Sequence, residues 1–273
     1  MFDKKFFAGA AYFLLALPLF HYSHTAALPI VLALIAARCV YEALWVSGYP
    51  EARAMLPASL ALAAATPFFA HLPAPVGPLL CYLYLMLALL RYLLHYREAN
   101  LLQTLYAASM TLALSQGIGV AARARLLFGG GLGLWVLVLT FVGTWASDVA
   151  AQFSGKLFGR HKLGTPVSPN KTVEGCVGAL AVTALVFAAA AWLLQSRGGH
   201  TVPLLPMAGL GLLVSVAAQL GDLLASAVKR QFGIKDFSNL IPGHGGMYDR
   251  FDSFVAVAPL VYLAFRLMEG SLI

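Results

Sequence analysis

Residues 173–195 read VEGCVGALAVTALVFAAAAWLLQ, and Glu174 is the single charged side chain in this run. A helix of about 20 residues crosses the hydrocarbon core of a bilayer, so the run predicts a membrane-spanning helix. Other apolar runs lie near 6–22, 26–47, 56–71, 76–94, 104–121, 131–149, 203–228 and 251–268. The sequence therefore predicts an all-α polytopic membrane protein with about nine transmembrane helices.

The composition of the whole chain supports a membrane protein. Of its 273 residues, 60% are hydrophobic and 11% are charged, whereas a soluble domain carries about 25% charged residues. The polar residues are too few to cover a globule of this size, so lipid must cover part of the surface. The cysteines Cys39, Cys81 and Cys176 lie in apolar runs without metal-ligand spacing, which indicates buried thiols rather than disulfides or a zinc site.

Two of the runs allow another interpretation. The run 6–22 follows Lys4 and Lys5 and could be a signal peptide, although its length and the spans that follow favour a retained helix. The run 56–71 is short and contains Pro67, which makes it the weakest predicted span.

The basic residues of the loops predict the orientation. One set of alternate loops holds Lys4, Lys5, Arg53, Arg91, Arg97, Lys156, Arg160, Lys162, Lys171, Lys229, Arg230, Lys235 and Arg250, and the other holds Arg123, Arg125 and Arg197. The positive-inside rule places the richer set in the cytoplasm, with the N-terminus inside and the C-terminus outside. Because the cations lie in short loops between apolar runs, they do not indicate a nucleic-acid partner.

The character of the chain changes about half-way along. Residues 1–125 combine apolar helices with short loops, and we expect them to serve lipid contact and dimer packing. Residues 126–273 carry polar groups at helix ends and in two long predicted loops, 150–172 and 229–250. Since long loops tend to be functional, the second part is the predicted catalytic domain.

Acidic residues at predicted helix ends give the first indication of chemistry. Asp148, Asp222 and Asp249 occupy such places, and Asp148 is expected to begin a polar break after the run 131–149. A carboxylate near the membrane interior is costly and should neutralise, pair with a cation or bind a metal ion.

A polar stripe follows Asp222 along its predicted helix. Ser226, Lys229 and Arg230 lie four, seven and eight residues further on, which places all four side chains on one helix face. The stripe is either a salt-bridged seam between helices or the wall of a cavity that carries a metal ligand and phosphate-binding cations.

A glycine-rich loop precedes the last predicted helix. Pro242, Gly243, His244, Gly245 and Gly246 allow the backbone to approach an anion closely, although His244 alone would also suit a structural role. Beyond the loop, Asp249 and Asp252 share the face of a helix start.

A third polar segment lies upstream. Ser168 and Pro169 are expected to start a turn, and Lys171 and Thr172 lie where the next helix opens. This is either a phosphate site at a helix N-terminus or a capped helix start in a basic loop. Carboxylates together with cations suit metal-assisted chemistry on phosphates, with Mg²⁺ as the expected ion.

These residues resemble the signature of the phosphatidate cytidylyltransferase (CDP-diacylglycerol synthase) family. The matching positions are Ser226-x2-Lys229-Arg230-x4-Lys235-Asp236-x5-Pro242-Gly243-His244-Gly245-Gly246-x2-Asp249-Arg250-x-Asp252, and upstream Ser168-Pro169-x-Lys171-Thr172-x-Glu174-Gly175. The resemblance covers roughly 148–252, while the first 125 residues match in hydropathy alone. Gln152 departs from the family, which often has an aromatic residue there.

The resemblance implies a reaction and its partners. Phosphatidate and CTP would give CDP-diacylglycerol and pyrophosphate without a covalent enzyme intermediate, in the presence of Mg²⁺ and with K⁺ as a companion cation. It also implies a homodimer in the cell (inner) membrane, surrounded by membrane lipids, with a polar cavity open to the cytoplasm.

The resemblance also implies roles for individual residues. Asp222 and Asp249 would be metal ligands, with Asp148 and Asp252 as further contributors. Lys171, Lys229, Arg230, Lys235 and Arg250 would hold phosphates, with Lys229 and Arg250 acting in catalysis beside Asp222 and Asp249. Thr172, Ser226, His244, Gly245 and Gly246 would position substrate oxygens. The alternatives are a CTP-dependent polyprenol kinase and, from another class, a cation transporter.

Overall fold

The computed structural model describes residues 18–198, 202–240 and 245–268. Its helices are α1 (Ala27–Val46), α2 (Pro50–Ala65), α3 (Val76–Leu94), α4 (Leu101–Leu127), α5 (Gly130–Phe158), α6 (Val173–Gly198), α7 (Leu204–Gln231) and α8 (Tyr248–Met268). A 3₁₀-helix, Thr66–His71, continues α2. The described residues contain no β-strand, and an isolated bridge joins Lys162 to Thr172. The all-α prediction is confirmed.

Eight segments of the described chain are long and apolar enough to cross a membrane, and they correspond to eight of the predicted runs. The weak span near 56–71 is part of a 22-residue segment, Pro50–His71. Pro50 opens its helix, where a missing N–H group costs nothing, and Pro67 lies where the segment tightens to a 3₁₀-helix. The predicted run 6–22 lies mostly outside the described residues.

The prediction of a polar break at Asp148 is wrong. Helix α5 continues from Gly130 to Phe158, so the connection to α6 covers 159–172 rather than 150–172. Helix α7 ends at Gln231 and α8 begins at Tyr248, which likewise shortens the second loop to 232–247. The 29 residues of α5 extend over about 43 Å, more than the ~30 Å hydrocarbon core, so the helix continues beyond the apolar run.

The described residues form two compact units. The first unit comprises the described part of Met1–Leu134 together with Asp236–Arg250, and the second comprises Trp135–Lys235 with the described part of Phe251–Ile273. In the first unit, α1, α2 and α4 pack on one another through small side chains, among them Ala36, Ala63 and the predicted buried thiol Cys39, all inaccessible to solvent. In the second unit, α6 packs along α7.

Candidate active site

The second unit brings three predicted site carboxylates together. Asp148 on α5, Asp222 on α7 and Asp252 on α8 are here called the carboxylate cluster, and Asp148 lies within electrostatic range of the other two. The Lys171 ammonium nitrogen lies 2.7 Å from Asp222 Oδ2, and both side chains are partly exposed, at 22% and 35%. Lys171 and Asp222, two predicted site residues, thus form a direct ion pair.

The lengths of the helices explain why these acids occur where they do. Asp148 and Asp222 are each the nineteenth residue of their helices, α5 and α7. Eighteen residues of helix rise about 27 Å, close to the thickness of the hydrocarbon core. Each carboxylate is therefore expected to lie near the boundary between the hydrocarbon core and water, where soluble substrates are accessible.

A glycine sets the distance between α7 and α8. A Cβ atom added at Gly221 would lie 2.7 Å from the backbone oxygen of Asp252 and 3.1 Å from Ser253 Cα. Small residues allow membrane helices to approach closely. Gly221 therefore brings its neighbour Asp222 close to the first turns of α8, which carry Asp252.

Gly221→Ala is expected to separate α7 from α8 and to destabilise the protein by about 1–3 kcal/mol, because the new methyl group meets backbone atoms that cannot rotate away. Thermal unfolding in detergent measures the effect. Gly209→Ala on the same helix is the matched control, since a Cβ atom there meets open space. An unfolding temperature equally unaffected in both variants would contradict the assigned contact.

Backbone hydrogen bonds around an isolated β-bridge, Lys162–Thr172, hold Lys171 in the segment before α6. The Leu163 N–H donates to the Lys171 carbonyl at 2.9 Å, and the Val173 N–H donates to the His161 carbonyl at 2.9 Å. The Lys171 N–H donates to the Ser168 carbonyl at 3.3 Å, which confirms the predicted turn. These hydrogen bonds fix the backbone on both sides of Lys171, and its side chain extends from this fixed backbone to Asp222.

Thr172 caps the helix that it precedes. Its hydroxyl oxygen accepts a hydrogen bond from the Gly175 N–H at 3.1 Å, and the residue is buried. Added Cβ atoms at Gly155 and Gly159 would each lie 2.9 Å from the Thr172 side chain. The last turns of α5 thus enclose Thr172, which favours the capping role, and its contact with substrate remains a prediction.

His161 is a residue that the sequence analysis missed. Its Nδ1 lies 2.6 Å from Glu174 Oε1, and its backbone N–H lies 3.2 Å from both oxygens of the same carboxylate. The His161–Glu174 contact therefore joins the start of the connection 159–172 to the first turn of α6. Glu174 was recognised through its motif, but a histidine in a basic loop gives no signal of a partner thirteen residues away.

Several polar and basic site candidates follow Asp222 in the sequence. Ser226 Oγ donates to Asp222 Oδ1 at 3.5 Å, at the outer limit of a hydrogen bond, in agreement with the predicted shared face. The Arg230 guanidinium donates to the Ile234 carbonyl at 3.2 Å. Lys235 and Arg250 are exposed, and Lys229 is partly buried. Their contacts with phosphates remain predictions.

Asp249 lies in the first unit, at the start of α8, and is 7% exposed. Its Oδ2 accepts hydrogen bonds from the Phe237 N–H at 2.8 Å and the Gly246 N–H at 2.9 Å. Such charge-assisted bonds fix the carboxylate and fold the loop around it. Gly245 has a φ of +79°, a conformation that glycine adopts without strain. The predicted residue His244 lies outside the described residues.

The donor chemistry of the cluster fits Mg²⁺ bound to a phosphorylated substrate. Among the residues that the structure describes, no three His, Cys, Asp or Glu side chains converge closely enough to bind a metal ion alone. Mg²⁺ commonly takes one or two carboxylates and completes its shell with phosphate oxygens and water. Partly exposed Asp148, Asp222 and Asp252 offer oxygen donors of that kind.

Comparison with known proteins agrees with the signature and the helical architecture. The sequence profile of the Cytidylyltransferase family matches residues 5–268. The chain belongs to this family. The match also includes residues 5–125, where hydropathy was the sole likeness found in the sequence.

Two curated relatives are similar to part of the chain. A phosphatidate cytidylyltransferase of Brucella suis is 44% identical over 131 residues, which are 48% of this chain and 47% of the relative. One of Staphylococcus aureus is 41% identical over 129 residues, 47% of this chain and 48% of the relative. The chain thus spans about half the length of the curated relatives it matches.

Proposed function

We propose that this protein is a phosphatidate cytidylyltransferase, a nucleotidyltransferase that converts phosphatidate and CTP into CDP-diacylglycerol and pyrophosphate. The observation that carries the proposal is the Lys171–Asp222 ion pair within the carboxylate cluster. The pair joins Lys171 of the upstream signature segment to the helix that carries Asp222 and Ser226, in a multi-pass membrane protein of the Cytidylyltransferase family. The names of the two relatives support phosphatidate as the acceptor.

The proposed reaction transfers CMP to a lipid phosphate. A phosphate oxygen of phosphatidate forms a bond to the α-phosphorus of CTP, and the bond from that phosphorus to the β-phosphate oxygen breaks, which releases pyrophosphate. Cations neutralise the charge that gathers on the leaving group. We assign this task to Lys171, Lys229, Arg230, Lys235 and Arg250, with Thr172, Ser226, His244, Gly245 and Gly246 positioning oxygens.

Mg²⁺ is the proposed cofactor, with K⁺ as a second cation. When bound, Mg²⁺ neutralises phosphate charge. The residues proposed to hold the ions are Asp222, Asp249, Asp148 and Asp252. Lys171 keeps Asp222 paired and oriented, and the backbone donors of Phe237 and Gly246 do the same for Asp249.

We place the protein in the cell (inner) membrane as a homodimer, with a polar cavity that opens to the cytoplasm. The support is chemical, because CTP is a cytoplasmic nucleotide and phosphatidate is a membrane lipid. The basic residues of the two connecting segments 159–172 and 232–247 favour the same side under the positive-inside rule.

One assay tests the proposed function. Purified protein in lipid nanodiscs receives phosphatidate, Mg²⁺ and CTP labelled at the α-phosphorus, and both lipid-linked CMP and pyrophosphate are measured. Equal amounts of the two products are expected. Release of CDP with a polyprenol acceptor would indicate the lipid kinase instead, and cation flux without CTP in proteoliposomes would indicate a transporter.

Lys171→Ala is expected to raise the KM for CTP or phosphatidate by about 10–100-fold, because a charge-assisted contact contributes about 1.5–3 kcal/mol. Steady-state kinetics with each substrate varied in turn measure the change. Lys162→Ala is the matched control, since Lys162 is exposed in the same connection and bridges Thr172 through its backbone. Unchanged KM values with a normal kcat would indicate that Lys171 is a basic loop residue that serves only the orientation of the chain in the membrane.

A further inference from the structure

Glu42 is a buried carboxylate with no role in the proposed reaction. It lies inside α1, a candidate membrane span, and is 2% exposed. An ionised carboxylate in such a place is costly unless it is paired and hydrogen-bonded. Arg38, one turn earlier, places its Nε 3.0 Å from Glu42 Oε1. This pair lies in the region that the sequence analysis assigned to lipid contact and dimer packing.

Besides Arg38, the hydrogen-bond donors to Glu42 come from the signature segment, which lies about two hundred residues later in the chain but in the same compact unit. Ser238 Oγ donates to Oε1 at 2.7 Å, and the Met247 N–H donates to Oε1 at 3.1 Å. The Tyr248 N–H donates to Oε2 at 2.9 Å. Glu42 therefore receives a side chain and two backbone groups of this segment.

Through these contacts, Glu42 on α1 caps the N-terminus of α8, a helix far from it in the sequence. The first N–H groups of a helix have no partner within it, and a nearby side chain commonly satisfies them. Tyr248 is the first residue of α8 and Met247 precedes it. The carboxylate of Glu42 satisfies both N–H groups and favours the positive end of the helix dipole.

The contact with Glu42 depends on the absence of a side chain at Gly246. A Cβ atom added there would overlap Glu42 Oε2 and lie 2.8 Å from Glu42 Cδ and 2.9 Å from Ser238 Oγ. The backbone reaches the carboxylate because no side chain intervenes. The next acid along the chain, Asp249, uses the Gly246 N–H for its own Oδ2. One short segment thus lies between two carboxylates, Glu42 on α1 and Asp249 on α8.

We propose that Glu42 is a positioning residue of the active site, which holds Ser238, Met247 and Tyr248 so that Asp249 keeps its orientation. The proposal rests on the proposed function, in which Asp249 is a metal ligand. Glu42 acts through the segment and does not contact substrate. Glutamine in its place would turn an amide N–H toward a donor, so at least one of the hydrogen bonds would be lost.

Hydrogen–deuterium exchange in nanodiscs tests the contact without any substrate. In Glu42→Gln, the amides of 246–248 are expected to exchange about tenfold faster than in the unmodified protein, with little change elsewhere. Glu51→Gln is the matched control, because Glu51 is also buried in the first unit but pairs with Arg91 at 3.6 Å. Unchanged exchange at 246–248 in a folded Glu42→Gln protein would overturn the proposal.

Kinetics test the consequence for the reaction. Glu42→Gln is expected to lower kcat by about 100-fold, since a displacement near 1 Å has an effect of that size, while KM for CTP stays within about twofold. Glu51→Gln should retain activity. Faster exchange at 246–248 with an unchanged kcat would overturn the positioning role.

A milder variant covers the case in which Glu42→Gln does not fold. Ser238→Ala removes one of the donors to Glu42 and is expected to lower kcat by about fivefold; an unchanged kcat there would count against the proposal. Absence of lipid-linked CMP from the unmodified protein would refute the proposed function, whereas faster exchange confined to 246–248 in Glu42→Gln would still support the holding role.

Discussion

Replacement of Asp222 by asparagine is expected to reduce the formation of lipid-linked CMP by at least about 100-fold, as removal of a preorganised electrostatic partner commonly does. The substitution leaves the Lys171 ammonium, 2.7 Å away, without its counter-charge. It also removes the negative charge of a carboxylate that is partly exposed to solvent and is a proposed metal ligand. Turnover by the purified variant, checked for folding by size-exclusion chromatography, measures the loss.

The control for Asp222→Asn is Glu98→Gln. Glu98 is exposed between α3 and α4, so the variant loses one negative charge at a residue that is not a proposed ligand. Its activity should match that of the unmodified protein. If Asp222→Asn turned over CTP at a near-normal rate, the Lys171–Asp222 pair would be a structural seam between helices rather than part of the site.

Replacement of Asp249 by asparagine is expected to have two effects, because this carboxylate both folds a loop and serves as a proposed ligand. Activity should fall by at least about 100-fold. The amides of Phe237 and Gly246 should exchange faster with solvent, because a neutral acceptor holds them less strongly than Oδ2 does at 2.8 and 2.9 Å. Product formation and hydrogen–deuterium exchange measure the two effects separately.

Glu51→Gln again serves as the control for Asp249→Asn, since it neutralises a buried carboxylate of the same unit that does not contact this loop. Faster amide exchange at Phe237 and Gly246 in Asp249→Asn with full activity would show that Asp249 has a structural role and no role in the reaction. Loss of activity with unchanged exchange would place its role in the reaction rather than in the loop.

Much of the fold follows from hydropathy. The wrong end predicted for α5 shows that hydropathy locates the apolar part of a helix rather than the end of the helix. An apolar run ends where the hydrocarbon ends, and the prediction therefore stopped near Asp148. Backbone hydrogen bonding does not end there, so α5 continues to Phe158. Gly155 looked like part of a loop but lies inside α5, and Gly159 directly follows the helix; both pack against Thr172.

The site was partly predictable, because a signature identifies residues but not the contacts that support them. Lys171 and Asp222 were both predicted as site residues, and the structure brings them together in an ion pair. Glu42 was missed, since its donors lie about two hundred residues away in the chain. One local signal was present: Arg38 and Glu42 are four residues apart in an apolar helix, where charges indicate function or a defined partner.

The cap on α8 also has a consequence for biogenesis. Glu42 leaves the ribosome 205 and 206 residues before Met247 and Tyr248, its backbone donors. At typical synthesis rates this delay lasts about 10–40 s. During that time α1 must enter the bilayer with its carboxylate partnered by Arg38 of the same helix. Helix α1 is thus inserted before the backbone donors to Glu42 exist, and synthesis of α8 supplies them.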